Sequence, residues 1–229
     1  MKEGLIKKHL RKIPLFTKLL EEELQSIVDI SQMRTYKARS FVFMQGDPLD
    51  RVFFIHSGKV KIQKTDATGR EQIVSVLQAG EMFPHAGFFR KGTFPANAEI
   101  LEIAQLIVIP IGDFENILLQ YPQLCITLFK VLEEKIVDLQ NRLEEKILHD
   151  MYEQIIMLLL RLCKSNGIQI HDKYKLTTQF TNRELANMIG TSRETISRTI
   201  NQLKRKKLID IDENGFFIII PEKLQEEIA

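Results

Sequence analysis

The chain has 229 residues, 44% of them hydrophobic, enough for two domains with a core in each. Its formal net charge of +2 excludes a chain-wide basic field, so any surface for a polyanion must be local. Two cysteines, Cys125 and Cys163, are too few for a disulfide framework or a four-ligand metal cluster, and no run of roughly 20 apolar residues suits a membrane span.

Both cysteines sit in apolar helical patterns and read as reduced core residues. The segment MKEGLIKKHLRK has no long apolar run after its charges, so it does not read as a signal peptide. The expected location is cytoplasmic. Residues 1–35 read as helical, on the spacing of Leu20, Leu24, Ile27 and Val28. From Tyr36 to Ile111 the period drops to two, in SFVFMQ, RVFFIHSG, KVKIQKT, EQIVSVL and AEILEIAQLIVIP. Gly46-Asp47-Pro48, Ser57-Gly58, Asp66-Ala67-Thr68-Gly69 and Ala79-Gly80 supply turns between them. So many short strands predict a small antiparallel barrel or roll. Within it, MFPHAGFFRKGTFP reads as a short helix in which His85, Met82, Phe83, Phe88, Phe89 and Phe94 fill a core.

IGDFENILLQ is a short helix, and Tyr121-Pro122 starts a long one, since proline suits the first helical turn. Along it Cys125, Phe129, Leu132, Ile136, Leu139 and Leu143 alternate in steps of four and three, an a/d seam. So narrow a seam on a long helix predicts a parallel partner helix, hence a homodimer; the alternative is a helix lying on its own barrel. The heptad breaks down around Leu148-His149-Asp150, and a broader apolar helix from Ile155 to Leu162 opens the next domain. The expected domains are 1–121, 122–148 and 149–229.

After Cys163, KSNGIQIHDKYKLTTQ holds a short strand pair. The stretch FTNRELANMIGTSRETISRTINQLKRKKLIDID then gives two amphipathic helices around Ile189-Gly190-Thr191. In the second, Arg193, Glu194, Ser197 and Arg198 share one face, while Ile196, Ile200 and Leu203 share the other. Arg pairs bidentately with guanine, Glu accepts from the cytosine amino group and Ser is adaptable, so this face suits base edges in a major groove. The competing reading is a capping box over Thr191-Ser192-Arg193-Glu194, with Glu194 bonded to its own backbone. The basic run Lys204-Arg205-Lys206-Lys207 could meet phosphates, and Thr181, Thr191 and Ser192 with Lys204 and Lys206 complete the expected DNA-contacting set. LIDIDENGFFIII is two β-rich runs around Glu213-Asn214-Gly215, a hairpin that makes the domain a winged variant. The predicted fold class is α+β: an N-terminal β-roll, a long dimerisation helix and a C-terminal winged helix-turn-helix.

This order of parts resembles the Crp/Fnr family of bacterial transcription regulators, from Ile13-Pro14-Leu15-Phe16 through the wing. The resemblance is carried by GDPLDRVFFIHSGKV from Gly46 to Val60, GEM from Gly80 to Met82, and SRETISR in the reading helix. It implies a cyclic-nucleotide-binding-like roll whose effector repositions DNA-binding heads through the long helices. In members that respond to cyclic AMP, an Arg-Ser-Ala downstream of the Gly-Glu pair holds the phosphate. Phe94, Pro95 and Ala96 align there and offer neither guanidinium nor hydroxyl; losing such a charge-assisted bond costs about 1.5–3 kcal/mol. Leu139 and Gln140 replace the adenine-contacting Thr-Ser. The effector set implied is Gly80, Glu81, Met82, His85, Phe94, Pro95, Ala96, Leu139 and Gln140, with Arg90 or Lys91 as partial substitutes for the arginine. Cyclic AMP is therefore a weakened candidate, and the sequence requires no other cofactor and no metal. The N-terminal cysteines of iron–sulfur sensors are missing, and haem would have His85 as its axial ligand.

The wording GEMFPHAGFFRKGTFPANAEI is most similar to regulators of the arginine deiminase pathway in Gram-positive bacteria. That implies an activator of anaerobic arginine catabolic genes, with RNA polymerase as a partner. Two reading helices related by a twofold axis demand an inverted repeat in double-stranded DNA, with half-sites about one helical turn apart. Arg193, Glu194 and Arg198 match readers of TGTGA-like half-sites, while Glu194, Ser197 and Arg198 also match TTGAT readers. The alternative is an effector-binding protein-interaction module without sequence-specific DNA binding. An enzyme using Glu81 and His85 is set aside, because no nucleophile constellation or phosphate-cradling loop accompanies them.

Overall fold

The computed structural model describes residues 2–85, 87, 89 and 91–228; Phe88 and Arg90, both named above, lie outside the described residues. The chain divides into two compact units, Met1–Val137 and Asp138–Ala229.

In the first unit the expected helical stretch is broken into α1 (Lys2–Leu10), a 3-10 turn (Pro14–Phe16) and α2 (Glu21–Asp29), with β1 (Gln32–Tyr36) following. Pro14 has no N–H to donate and ends the first run. Leu20 is exposed rather than packed, and its N–H donates to Glu23 Oε2 at 2.7 Å where α2 begins. The strands are β2 (Phe41–Phe43), β3 (Arg51–Thr65), β4 (Glu71–Leu77), β5 (Met82–Phe83) and β6 (Asn97–Pro110). All pair antiparallel: β6 lies between β1 and β3, β4 borders β3, β2 joins β6 and β5 joins β3.

Ser57-Gly58 is a bulge and not a turn, so β3 runs straight through it. Gly58 sits at φ +86°, and a Cβ there would come within 2.6 Å of the Ala104 Cα. Glycine permits this approach of β3 to β6, which is why a residue that reads as punctuation lies inside a strand.

Side chains alternate across these strands. Phe53, Ile55, Leu106 and Val108 point into the roll with Phe43, Phe83 and Phe94. Val52, Phe54, Ile107 and Ile109 point out, onto α1, α2, α3 (Ile111–Gln120) and the start of α4 (Pro122–Leu148), through residues such as Leu10, Phe16, Leu24, Phe114 and Leu124.

None of the described residues from Met82 to Ala96 is helical. Gly46 N–H donates to Phe94 O and Phe94 N–H donates to Asp47 O, both at 2.9 Å, which holds this segment extended. Phe83 and Phe94 fill the interior as expected, but Phe89 is exposed, and Met82, on the opposite face of β5, joins the helical layer.

In the second unit, Asp150 caps α5 (Met151–Asn166) by accepting from Glu153 N–H at 3.0 Å. β7 (Gly167–Ile170) and β8 (Lys173–Leu176) are the expected strand pair, followed by α6 (Asn182–Ile189) and α7 (Arg193–Arg205). β9 (Ile209–Ile211) and β10 (Phe217–Ile219) form the hairpin, and α8 (Pro221–Glu226) follows. The sheet order is β7-β8-β10-β9. Ile155, Leu159, Leu185, Ile196, Ile200 and Leu203 are buried where α5, α6 and α7 meet. No described helix is long and apolar enough to cross a membrane.

Candidate nucleic-acid interface

The turn between α6 and α7 is built from local hydrogen bonds. Thr181 Oγ1 accepts from Glu184 N–H at 3.2 Å and donates to Glu184 Oε2 at 2.9 Å, while the same carboxylate accepts Thr181 N–H at 2.9 Å. The Thr181 hydroxyl is thus committed to capping α6. Gly190, at φ +80°, closes α6 in the left-handed conformation and donates to Ala186 O at 2.8 Å. Ser192 Oγ accepts Thr195 N–H at 3.1 Å and caps α7. The box over Thr191–Glu194 does not form, because the residue three beyond this cap is Thr195.

On α7, Ile196, Ile200 and Leu203 are buried and Arg193, Glu194 and Arg198 are exposed. None of these three charged side chains takes a hydrogen bond or ion pair from the described residues. Thr191 and Ser197 are half-buried. Asn201 and Arg205, both exposed, continue the face of Arg198 at helical spacing, and Arg183 is exposed in the first turn of α6. Arg205 belongs to the basic run already expected to meet phosphates, whereas Asn201 and Arg183 are not among the expected contacts, although the same period extended along α7 reaches Asn201.

The lysines of the basic run are less available than the sequence suggests. Lys204 Nζ lies 3.8 Å from Asp210 Oδ1. Lys206 pairs with Glu227, and its ammonium lies 5.6 Å from the Tyr152 ring centroid. Arg205 and Lys207 are exposed. In the wing, Asp212 accepts from Asn214 N–H at 3.0 Å and Phe216 N–H at 2.9 Å, and pairs with Lys175 at 2.7 Å. The Lys175 bond, then these amides, hold its carboxyl below the usual range.

The implied effector residues differ in their immediate surroundings. Phe94 is 2% exposed, and its ring stacks on Phe43 at 3.6 Å with 7° between planes. Ala96 is buried, Pro95 and Lys91 are exposed, and Gly80 donates to Ile55 O at 2.9 Å. Glu81 Oε2 accepts Gln78 N–H at 2.9 Å, and its Oε1 pairs with Lys135 Nζ of α4 at 3.1 Å. Burial, then the charge of Lys135, pushes the pKa of His85 down to about 4, so the ring is neutral near pH 7. Met82 packs away from the interior, and Leu139 and Gln140 are exposed on α4 in the second unit. Among the described residues no group of three or more His, Cys, Asp or Glu is placed to hold a metal ion. Burial raises the Cys163 thiol to about 12, which leaves it an unreactive core residue.

The seam on α4 is divided. Cys125 and Leu132 pack against the helical layer of the first unit, beside the buried Leu124 and Leu128. Phe129 (69% exposed), Ile136 (56%), Leu139 (58%) and Leu143 (61%) are uncovered.

A nucleotide-sensor type of roll, a long helix with a bare apolar seam, and a winged helix-turn-helix presenting two guanidiniums and a carboxylate define a DNA-binding regulator. Residues 33–121 match the family model described as a cyclic nucleotide-binding domain, and residues 153–227 match the Crp-like helix-turn-helix domain. The chain carries, in order, the two domains of Crp/Fnr-type transcription regulators, and the relatives it matches are regulators rather than enzymes. It is similar to the Anaerobic regulatory protein of Bacillus subtilis (strain 168), 24% identical over 208 residues, covering 90% of this chain and 87% of that one. The Cyclic AMP receptor protein of Thermus thermophilus is 26% identical over 216 residues, covering 94% and 96%. Among solved structures, a mutant of CooA from Carboxydothermus hydrogenoformans shares the fold with TM-score 0.73 and 20% identity, over 89% of this chain and 90% of that one.

Proposed function

We propose that the chain acts as a cytoplasmic homodimer that reads an inverted repeat with TGTGA-like half-sites and activates transcription through RNA polymerase. Residues 1–121 form its sensor, 122–148 its dimer helix and 149–229 its DNA-binding head. The observation that carries this reading is the exposure of Arg193, Glu194 and Arg198 on a helix whose opposite face is buried. Ser197 borders that face, Thr181, Thr191 and Ser192 hold the helix N-termini toward the backbone, and Lys204 with Arg205 meets phosphates. The uncovered Phe129, Ile136, Leu139 and Leu143 supply the dimer seam.

Anaerobic arginine catabolic genes are the proposed targets, supported by the GEMFPHAGFFRKGTFPANAEI segment and by the anaerobic role in the Bacillus relative's name. Cyclic AMP fits poorly, because the Phe94 ring fills the position that needs a guanidinium, and Glu81 is already paired with Lys135.

Gel-shift titration against single-base operator variants tests the base-reading role. Arg198→Ala is expected to cost about 1–3 kcal/mol per half-site and to relax base choice at one position. A loss of equal size on every variant contradicts it.

A further inference from the structure

The C-terminal end of the reading helix is held by side chains from three separate elements of the second unit. Lys206 closes α7, Tyr152 lies in the first turn of α5, and Glu227 follows α8. The Tyr152 hydroxyl donates to Glu227 Oε1 at 3.0 Å, and Lys206 pairs with the same oxygen. The Lys206 ammonium also stands 5.6 Å from the Tyr152 ring centroid, within reach of its π-face. Both ionised forms are favoured by the contact: Lys206 is held above its ordinary range and Glu227 below it, each first through the bond to the other. Directly after Lys206, Lys207 adopts φ +58°, and Leu208 N–H donates to Leu203 O at 3.1 Å as the chain leaves for β9. The contact therefore sits where α7 stops and the chain turns toward the wing.

We propose that Tyr152, Lys206 and Glu227 are positioning residues for DNA recognition, fixing the C-terminal end of α7 against α5 without touching the nucleic acid. Arg193 is at the opposite end of the helix, about 20 Å from Lys206 at 1.5 Å per residue. A tilt of about 5° at the clamp then displaces Arg193 by roughly 1.7 Å. Recognition geometry tolerates only about 0.5 Å, so so small a swing is enough to break a bidentate contact to a base.

The inference rests on the DNA-binding reading above, and its test separates the two. The full chain is titrated by fluorescence anisotropy with a duplex carrying a TGTGA inverted repeat and with a scrambled duplex of equal length, over a range of KCl concentrations. Lys206→Ala, Glu227→Gln and Tyr152→Phe should each weaken the repeat by about tenfold. They should bind the scrambled duplex as wild type does and leave the salt slope unchanged. The charge-reversed pair Lys206→Glu with Glu227→Lys should recover most of what Lys206→Glu alone loses, although residue 206 then carries the sign that phosphates repel. If Lys206→Ala lowers the salt slope by about one phosphate, or the reversed pair binds no better than Lys206→Glu, Lys206 meets DNA directly and the positioning role is overturned. If a charge variant unfolds by circular dichroism, Tyr152→Phe, which keeps the ring, decides alone. A wild-type chain with no preference for the repeat at low salt removes the DNA-binding reading, and the clamp's role with it.

Discussion

Phe94→Ala asks whether the inside of the roll is core or pocket. The ring is buried, stacks on Phe43 at 3.6 Å and tilts against Phe53 at 6.5 Å. Its backbone is bonded on both sides to the Gly46-Asp47 turn, so the segment cannot slide in to refill the space. The neighbouring rings stand on strands or are themselves stacked, as Phe83 is on Phe53 at 5.1 Å. A truncation that leaves such a cavity costs about 3–5 kcal/mol, of which about 0.5–1.5 is the lost stack. With a slope of about 2 kcal/mol per molar urea, the midpoint of the first unit should fall by roughly 1.5–2.5 M. Far-ultraviolet circular dichroism of the full chain in urea reads this as a shift of one transition, with that of the second unit in place. A shift below about 0.5 M refutes the packed interior and restores a pocket. Phe94→Arg carries the same question to the ligand. A lone guanidinium buried there is costlier still, and added cyclic AMP should return no stability, whereas a latent phosphate site would return it with the logarithm of ligand concentration.

Acid should destabilise the first unit in a defined window. His9, His56 and His85 all have lowered pKa values, chiefly from burial, and the His9 and His56 rings lie 3.3 Å apart with Lys12 and Lys8 adding positive charge. The unfolded chain takes up protons near pH 6.5 and the folded one does not, so stability is lost as pH falls below that value and levels off once the folded groups titrate. For His85, levelling at about 4, the loss at pH 5 is about 2 kcal/mol; melting temperatures of wild type and His85→Gln between pH 7.5 and 4.5 should converge in acid. Ser192→Ala removes the α7 cap and should cost about 1 kcal/mol in the second unit, with Ser192→Gly costing only a few tenths; equal losses would show that the hydroxyl does not cap. Ile136→Asp with Leu143→Asp places charge on the bare seam and should yield a folded monomer by sedimentation equilibrium, and a dimer that persists would place the subunit contact elsewhere.

What could be read from the residues in order was whatever depends on near neighbours. The period of two in EQIVSVL became β4, the Pro122 start of α4 and the Asn214-Gly215 hairpin stand where their local chemistry puts them, and the two faces of α7 separate at helical spacing. Tertiary structure decided the rest. Ser57-Gly58 has the composition of a turn, and only the approach of Ala104 makes it a bulge within β3. Leu132 and Leu139 look alike in the heptad, yet one rests on the helical layer and the other is bare, a difference the repeat by itself does not carry. Lys206 is one lysine in a basic run until Tyr152 and Glu227, far off in the chain, take up its charge. Periodicity and turn chemistry are short-range properties of the backbone, whereas burial and charge pairing belong to groups that meet only after folding.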